Sequence, residues 1–190
     1  DKALVKGPKY GYYPEPPKGV MVAKKGKEER AREVFAEYPD LEIVSHHRFL
    51  GGCIGASAGV EEAYVKKKVA TWVECVRHLA RAAEKFSQSA YVALTISLQS
   101  EWKFLQRLIP ESSAWFRELN DVIQHEFIPA LLARWQFSEA EMELVELPFR
   151  WGGLGILDPT KAAQSFHELS FSAISMVRDA ILDDEPLDVP

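Results

Sequence analysis

From residue 60 onward the apolar residues fall at steps of three and four, and this spacing limits what the chain can fold into more than any other feature. Over 60–85 they are Val65, Val69, Trp72, Val76, Leu79 and Ala83. Such spacing places them on one helix face, whereas a strand would alternate them in twos. The same rule predicts a second helix over 87–108, with Tyr91, Leu94, Leu98, Trp102 and Leu105 on its stripe and Pro110 ending it. A third helix is expected from about Ala114 to Trp135. Pro129 lies inside it and predicts a kink or split near Phe127, because proline has no N–H for the helical ladder. Ser138 followed by Glu141 is a capping box for a short helix through Leu147. The glycine-rich run Phe149–Asp158 is a break, and Thr160 is the expected cap of a last helix over 161–182.

Before residue 60 the pattern changes. Pro8, Pro14, Pro16 and Pro17 argue against any helix in 1–17. Gly19–Ala23 is a short apolar strand, Lys24–Lys27 a polar turn, and Lys27–Tyr38 an amphipathic helix with Ala31, Val34 and Phe35 facing inward. Leu41–Val44 and Arg48–Ile54 are further strands, the latter ended by Gly55. The expected fold class is therefore mainly α. A bundle-like helical domain (59–182) follows a Pro/Gly-rich segment and a small α+β unit (1–58). A solvated acidic tail (183–190, with Asp183-Asp184-Glu185) closes the chain.

Charge separates the two parts as well. The net charge of −5 is ordinary, but residues 1–68 hold 13 Lys/Arg against 10 Asp/Glu, a net of +3. The remainder holds 10 against 18, a net of −8. A nucleic-acid grip along the helical part works against that charge. At 47% hydrophobic and 27% charged, the composition is that of a globular domain. No run approaches the roughly 18 apolar residues of a membrane span. Cys53 and Cys75 are too few for a disulfide framework and favour a reducing, intracellular compartment. The first residue is Asp1, so a processed form, a fragment or an excised piece is expected, and a targeting segment removed earlier is compatible with it.

Few residues group into chemistry. His46 and His47 are adjacent in an extended segment, so their side chains point to opposite faces and do not share an ion with Cys53. No metal site and no cofactor is expected. Gly152-Gly153-Leu154-Gly155 lacks the Lys-Ser/Thr of a phosphate loop. Ser, His and Asp residues show no nucleophile elbow. Glu101, Glu118, Asp121 and Glu126 read as helix-surface acids without partners. Lys66, Lys67, Lys68, Arg77 and Arg81 make a basic helix surface that suits either phosphate contacts or plain solvation. Trp72, Trp102 and Trp115 lie on apolar stripes and are expected in the core. Trp135 and Trp151 flank a break and a glycine turn, positions that suit a partner surface.

Two segments carry a family likeness. Glu15-Pro16-Pro17-Lys18-Gly19-Val20-Met21-Val22 and Arg48-Phe49-Leu50-Gly51-Gly52-Cys53-Ile54-Gly55 resemble the last two palm motifs of retroelement reverse transcriptases, chiefly non-LTR ones. Tyr64-Val65-Lys66-Lys67-Lys68-Val69, Phe127-Ile128-Pro129-Ala130-Leu131 and Leu147-Pro148-Phe149-Arg150-Trp151-Gly152-Gly153-Leu154-Gly155-Ile156 are similar to thumb-side segments of such elements, so the resemblance covers about residues 7–160. It implies that Lys18 sits near nucleotide phosphates, and that Phe49, Leu50, Gly51 and Gly52 form a hairpin pressing the primer strand. It also implies RNA/DNA primer–template as a partner. The departure lies in the chemistry. Two-metal phosphoryl transfer needs converging carboxylates, and the family's catalytic aspartates are absent here; Asp183-Asp184 reads as tail. The resemblance thus implies the end of a palm plus a thumb, with no catalytic residue and no polymerase activity of its own. The second function class is a structural or adaptor subunit, derived from such a piece and held in a larger protein assembly.

Overall fold

The structure is a computed structural model that describes residues 5–11, 13, 19–24, 26–55 and 58–183. The protein is mainly α-helical, with a small α+β unit at its N-terminal end. It divides into two compact units, residues 1–61 and 62–190.

In the first unit, β1 (Val20–Val22) and β2 (Glu42–Val44) pair in parallel, with Met21 opposite Ile43. Helix α1 (Glu28–Val34) is the crossover that parallel strands require. It is shorter than expected: it stops at Phe35, and Val34 is exposed while Ala31 and Phe35 are half-buried. β3 (His47–Phe49) and β4 (Gly52–Ile54) form an antiparallel hairpin, with Phe49 opposite Gly52. The residue pattern predicts a single strand over Arg48–Ile54, whereas the family resemblance implies a hairpin at Phe49 to Gly52. Leu50 (φ 47°) and Gly51 (φ 86°) reverse the chain in a two-residue turn whose central positions both need positive φ. Gly55 packs under β1; a Cβ there would lie 2.0 Å from Val22 Cγ1 and 2.9 Å from the Ser45 carbonyl. A short 3₁₀ turn at Gly7–Tyr10 departs from the helix-free expectation. Pro8 sits at its start, where a missing N–H leaves no bond unmade.

The second unit is built on α2 (Ala58–Val92), which is broken at Phe86 (φ −133°, ψ 55°), between the two helices that the spacing predicts. Its stripe residues Val65, Val69, Trp72 and Val76 are buried. A wide turn with i→i+5 bonding, Ala93–Leu98, leads into α3 (Gln99–Leu108). Trp102 of α3 meets Trp72 edge to face, with ring centroids 6.0 Å apart. The third expected helix is a succession of shorter pieces. A 3₁₀ turn (Ser113–Phe116) and α4 (Arg117–Val122) pass through a second wide turn (Ile123–Phe127) into α5 (Ile128–Leu132). In place of a sharp break at Phe127, the Ile128 N–H reaches back to the Ile123 carbonyl, so the wide turn absorbs the missing N–H of Pro129. Ala133, at φ 51°, ends α5.

Ser138 and Glu141 form the expected capping box on α6 (Glu139–Glu146). After the turn Phe149–Trp151 the chain runs extended to α7 (Pro159–Asp183). The cap of α7 is Asp158, not Thr160. Its Oδ1 accepts the Thr160 N–H at 2.7 Å and the Lys161 N–H at 3.3 Å, and Pro159 follows it as the first helical residue. The extended run is held by side chains on the preceding helices. The Tyr91 hydroxyl donates to the Leu154 carbonyl (2.6 Å), and the Gln99 amide donates to the Gly155 carbonyl (3.0 Å) and accepts the Leu157 N–H (3.1 Å). Buried Gln106 donates to the Pro159 carbonyl at 2.7 Å. Gln99 thereby satisfies the backbone of the strap as a neighbouring strand would.

Candidate functional site

Three surfaces hold the residues singled out in the sequence. The first is the β3–β4 hairpin. Its turn puts the Leu50 side chain 81% exposed at the tip, with Phe49 exposed beside it, while Gly52 is buried. Leu50 holds a left-handed conformation that side-chain-bearing residues seldom adopt, so the tip presents an apolar side chain at a cost in backbone strain. Lys18 and the Glu15–Pro17 run before it lie outside the described residues. Cys53, in β4, has its thiol pKa raised by burial and by the charge of Glu61. That keeps it protonated and a poor nucleophile.

The second surface is the basic side of α2, which is less free than the sequence suggests. Lys66 pairs with Glu62 at 2.6 Å, one turn away. Arg77 pairs with Glu74 (2.6 Å) and with Glu126 (3.2 Å), and these bonds raise its pKa. Lys67 and Arg81 are exposed and make no ion pair among the described residues. Exposed pairs such as these are individually weak, yet a phosphate approaching this face meets Glu62, Glu74 and Glu126 beside the cations. Glu101, expected to be unpartnered, accepts the Trp72 indole N–H at 2.9 Å and so serves the core. Glu126 was likewise expected free and is the partner of Arg77.

The third surface is aromatic and apolar. Trp135 is 76% and Trp151 61% exposed, in contrast to buried Trp72 and Trp102. Trp151 lies in the turn after α6, under the Arg150 guanidinium (4.7 Å to the ring centroid) and next to exposed Phe149. Trp135 follows the left-handed Ala133, and Arg134 beside it is tied to Glu141. Glu141 itself accepts from the Ser138 backbone N–H, Arg134 and the Ser138 hydroxyl, which together lower its pKa to about 2. Helix α7 adds an apolar face that the sequence analysis did not single out. Ala163 is buried and Phe166, His167 and Ser170 are half-buried, but Ile174, Val177 and Ile181, which continue the same stripe, are exposed. Helical spacing could place these residues on one face; it could not show where the neighbouring helices stop covering them.

Among the described residues no three His, Cys, Asp or Glu side chains are grouped to hold a metal ion, and no helix is long and apolar enough to cross a membrane. No protein-family model matches the chain, and neither a curated protein nor a solved structure matches it.

Proposed function

We propose that this chain is a reverse-transcriptase-like module without chemistry of its own, acting as a structural or adaptor subunit of a larger protein assembly. The observation that carries this reading is the far half of α7. Over its last three turns it keeps an apolar stripe of Ile174, Val177 and Ile181, flanked by Phe171 and Leu182, all of them exposed. Contiguous apolar surface on a folded unit marks a place where another surface sits. The −8 charge of residues 69–190 and the carboxylates paired with Lys66 and Arg77 also favour protein over nucleic acid as the partner.

The test is the size of the tagged chain in extracts of its native source. The expected result is elution in an assembly well above its own 21.5 kDa, with Ile174→Asp/Val177→Asp releasing it. Elution of the parent as a monomer overturns the reading. A second reading, a primer–template grip, is favoured by the exposed Phe49–Leu50 tip of the first unit and, separately, by exposed Lys67 and Arg81 of the second, which make no ion pair among the described residues. It predicts RNA–DNA binding that weakens with salt and is lost in Lys66→Glu/Lys67→Glu.

A further inference from the structure

Between the α4–α5 segment and α6 lies a cleft of about 780 Å³, within the size range of ligand sites. Its walls differ in chemistry. Trp135, Phe137 and Met142 form an apolar side. Glu139, Glu143 and Glu146 reach it from α6, at spacings of four and three that share one helix face. Asp158 and Lys161 come from the start of α7, and Asn120, Gln124 and His125 from the opposite wall.

The charges in the cleft do not balance. Four carboxylates face a single lysine. Lys161 is already committed to Glu146 at 3.0 Å, with Asp158 at 3.9 Å, and its pKa is raised first by the bond to Glu146. Glu139 and Glu143 make no hydrogen bond or ion pair among the described residues. The carboxamide oxygen of Asn120 is buried at the cleft wall without a hydrogen-bond partner among the described residues. The Trp135 ring stands exposed at the same opening. Unpaired carboxylates beside an open indole face are the two halves of a site for an organic cation: one neutralises it and the other stacks on it. A guanidinium suits both, being planar and able to bridge two acceptors.

We infer that this cleft receives a basic segment of a partner protein, with an arginine side chain set between Trp135 and the Glu139/Glu143 carboxylates. The inference rests on the reading of the chain as an assembly subunit and names the kind of partner it takes. Charge complementarity is the reason for choosing a basic occupant over an apolar one.

The probe is a fluorescein-labelled dodecapeptide of alternating arginine and alanine, titrated into the full chain and followed by anisotropy at near-physiological salt. Saturable binding is expected, weakened about tenfold or more by Trp135→Ala and by Glu139→Gln/Glu143→Gln. These residues are exposed, so the variants keep the fold, which circular dichroism checks. Glu84→Gln/Glu118→Gln, with the same change of charge at positions that do not line the cleft, is expected to bind as the parent does. Equal weakening by that control overturns the inference, because it would mean attraction to a diffuse acidic surface. Unchanged binding in the cleft variants overturns it too, as does a concentration-dependent dimer that those variants abolish, since the occupant would then be a second copy of this chain. Absence of peptide binding with the native assembly intact refutes this inference alone; a monomer in native extracts refutes the reading beneath it.

Discussion

The two units of this protein are stabilised by different means. The helical unit has a continuous core that runs from Val65 and Trp72 through Trp102, Phe116 and Phe127 to Ile156 and Ala163. In the α+β unit, Ala23 is the one apolar side chain that is buried among the described residues. Its shape is fixed by backbone pairing and by local conformations that few residues adopt, at Leu50, Gly51 and Gly55. Burial of apolar area dominates in the first case and turn chemistry in the second. The units should therefore respond to different kinds of substitution.

The largest effect is expected where the core is densest. Phe116 is fully buried, and Phe116→Ala should lower the stability of the helical unit by about 3–5 kcal/mol in urea unfolding followed by tryptophan fluorescence. A loss below about 1 kcal/mol would mean that this core is loosely packed, and the contrast between the units would collapse. Gln99→Met comes next. It leaves the Gly155 carbonyl and the Leu157 N–H of the strap without their partner, at a cost of about 2–3 kcal/mol. The same assay reads it, with a local rise in hydrogen exchange over 154–158.

In the α+β unit, Gly55→Ala places a methyl group against Val22 and the Ser45 carbonyl at a φ of +77°. About 1–3 kcal/mol should be lost there. Hydrogen exchange should show amides of Val20–Val22 and Glu42–Val44 opening while those of Val65–Val76 stay protected. A smaller effect belongs to the α6 cap. Ser138→Ala should cost about 1 kcal/mol. Because the Glu141 carboxyl is held down to about 2, its contribution is complete above its unfolded value of about 4.3 and is lost as pH falls from there through about 2. Glu141→Gln should flatten the melting temperature across that window, and an unaltered slope would place the acid sensitivity elsewhere. The smallest effect has the opposite sign. Leu50→Asn relieves the left-handed strain and makes the turn Asn-Gly, so the hairpin should gain about 0.5–1 kcal/mol.

How much of this was legible in the sequence follows the same division. Helical spacing located the buried face of α2 and α3, and the Ser138/Glu141 pair located the start of α6, because both signals are local. The break at Phe86 falls where the two stripes change phase. The two wide turns were not legible: i→i+5 bonding needs only one extra residue per turn, and no local pattern marks it. The Asp158 cap is in fact encoded locally, since Asp followed by Pro is a helix-start signal, but Thr160 two residues on is a competing cap-type residue. At Leu50-Gly51 the residue pattern reads as a plain strand, since leucine is a rare first residue for such a turn, and a hairpin there was expected only from the family resemblance. Of the candidate site residues, exposure of Trp135 and Trp151 followed from their place beside breaks. The pairing of Arg77 with Glu126 joins α2 to a segment 49 residues on, and no local pattern encodes that.

The central claim is that this chain works through protein contacts and not through a nucleic-acid grip. Anisotropy of a labelled RNA–DNA primer–template against the full chain, at low and at near-physiological salt, tests it most directly. The account predicts no saturable binding at either salt, for the parent and for Lys66→Glu/Lys67→Glu alike. Tight binding at low salt that weakens steeply as salt rises, and that the double substitution removes, would contradict it.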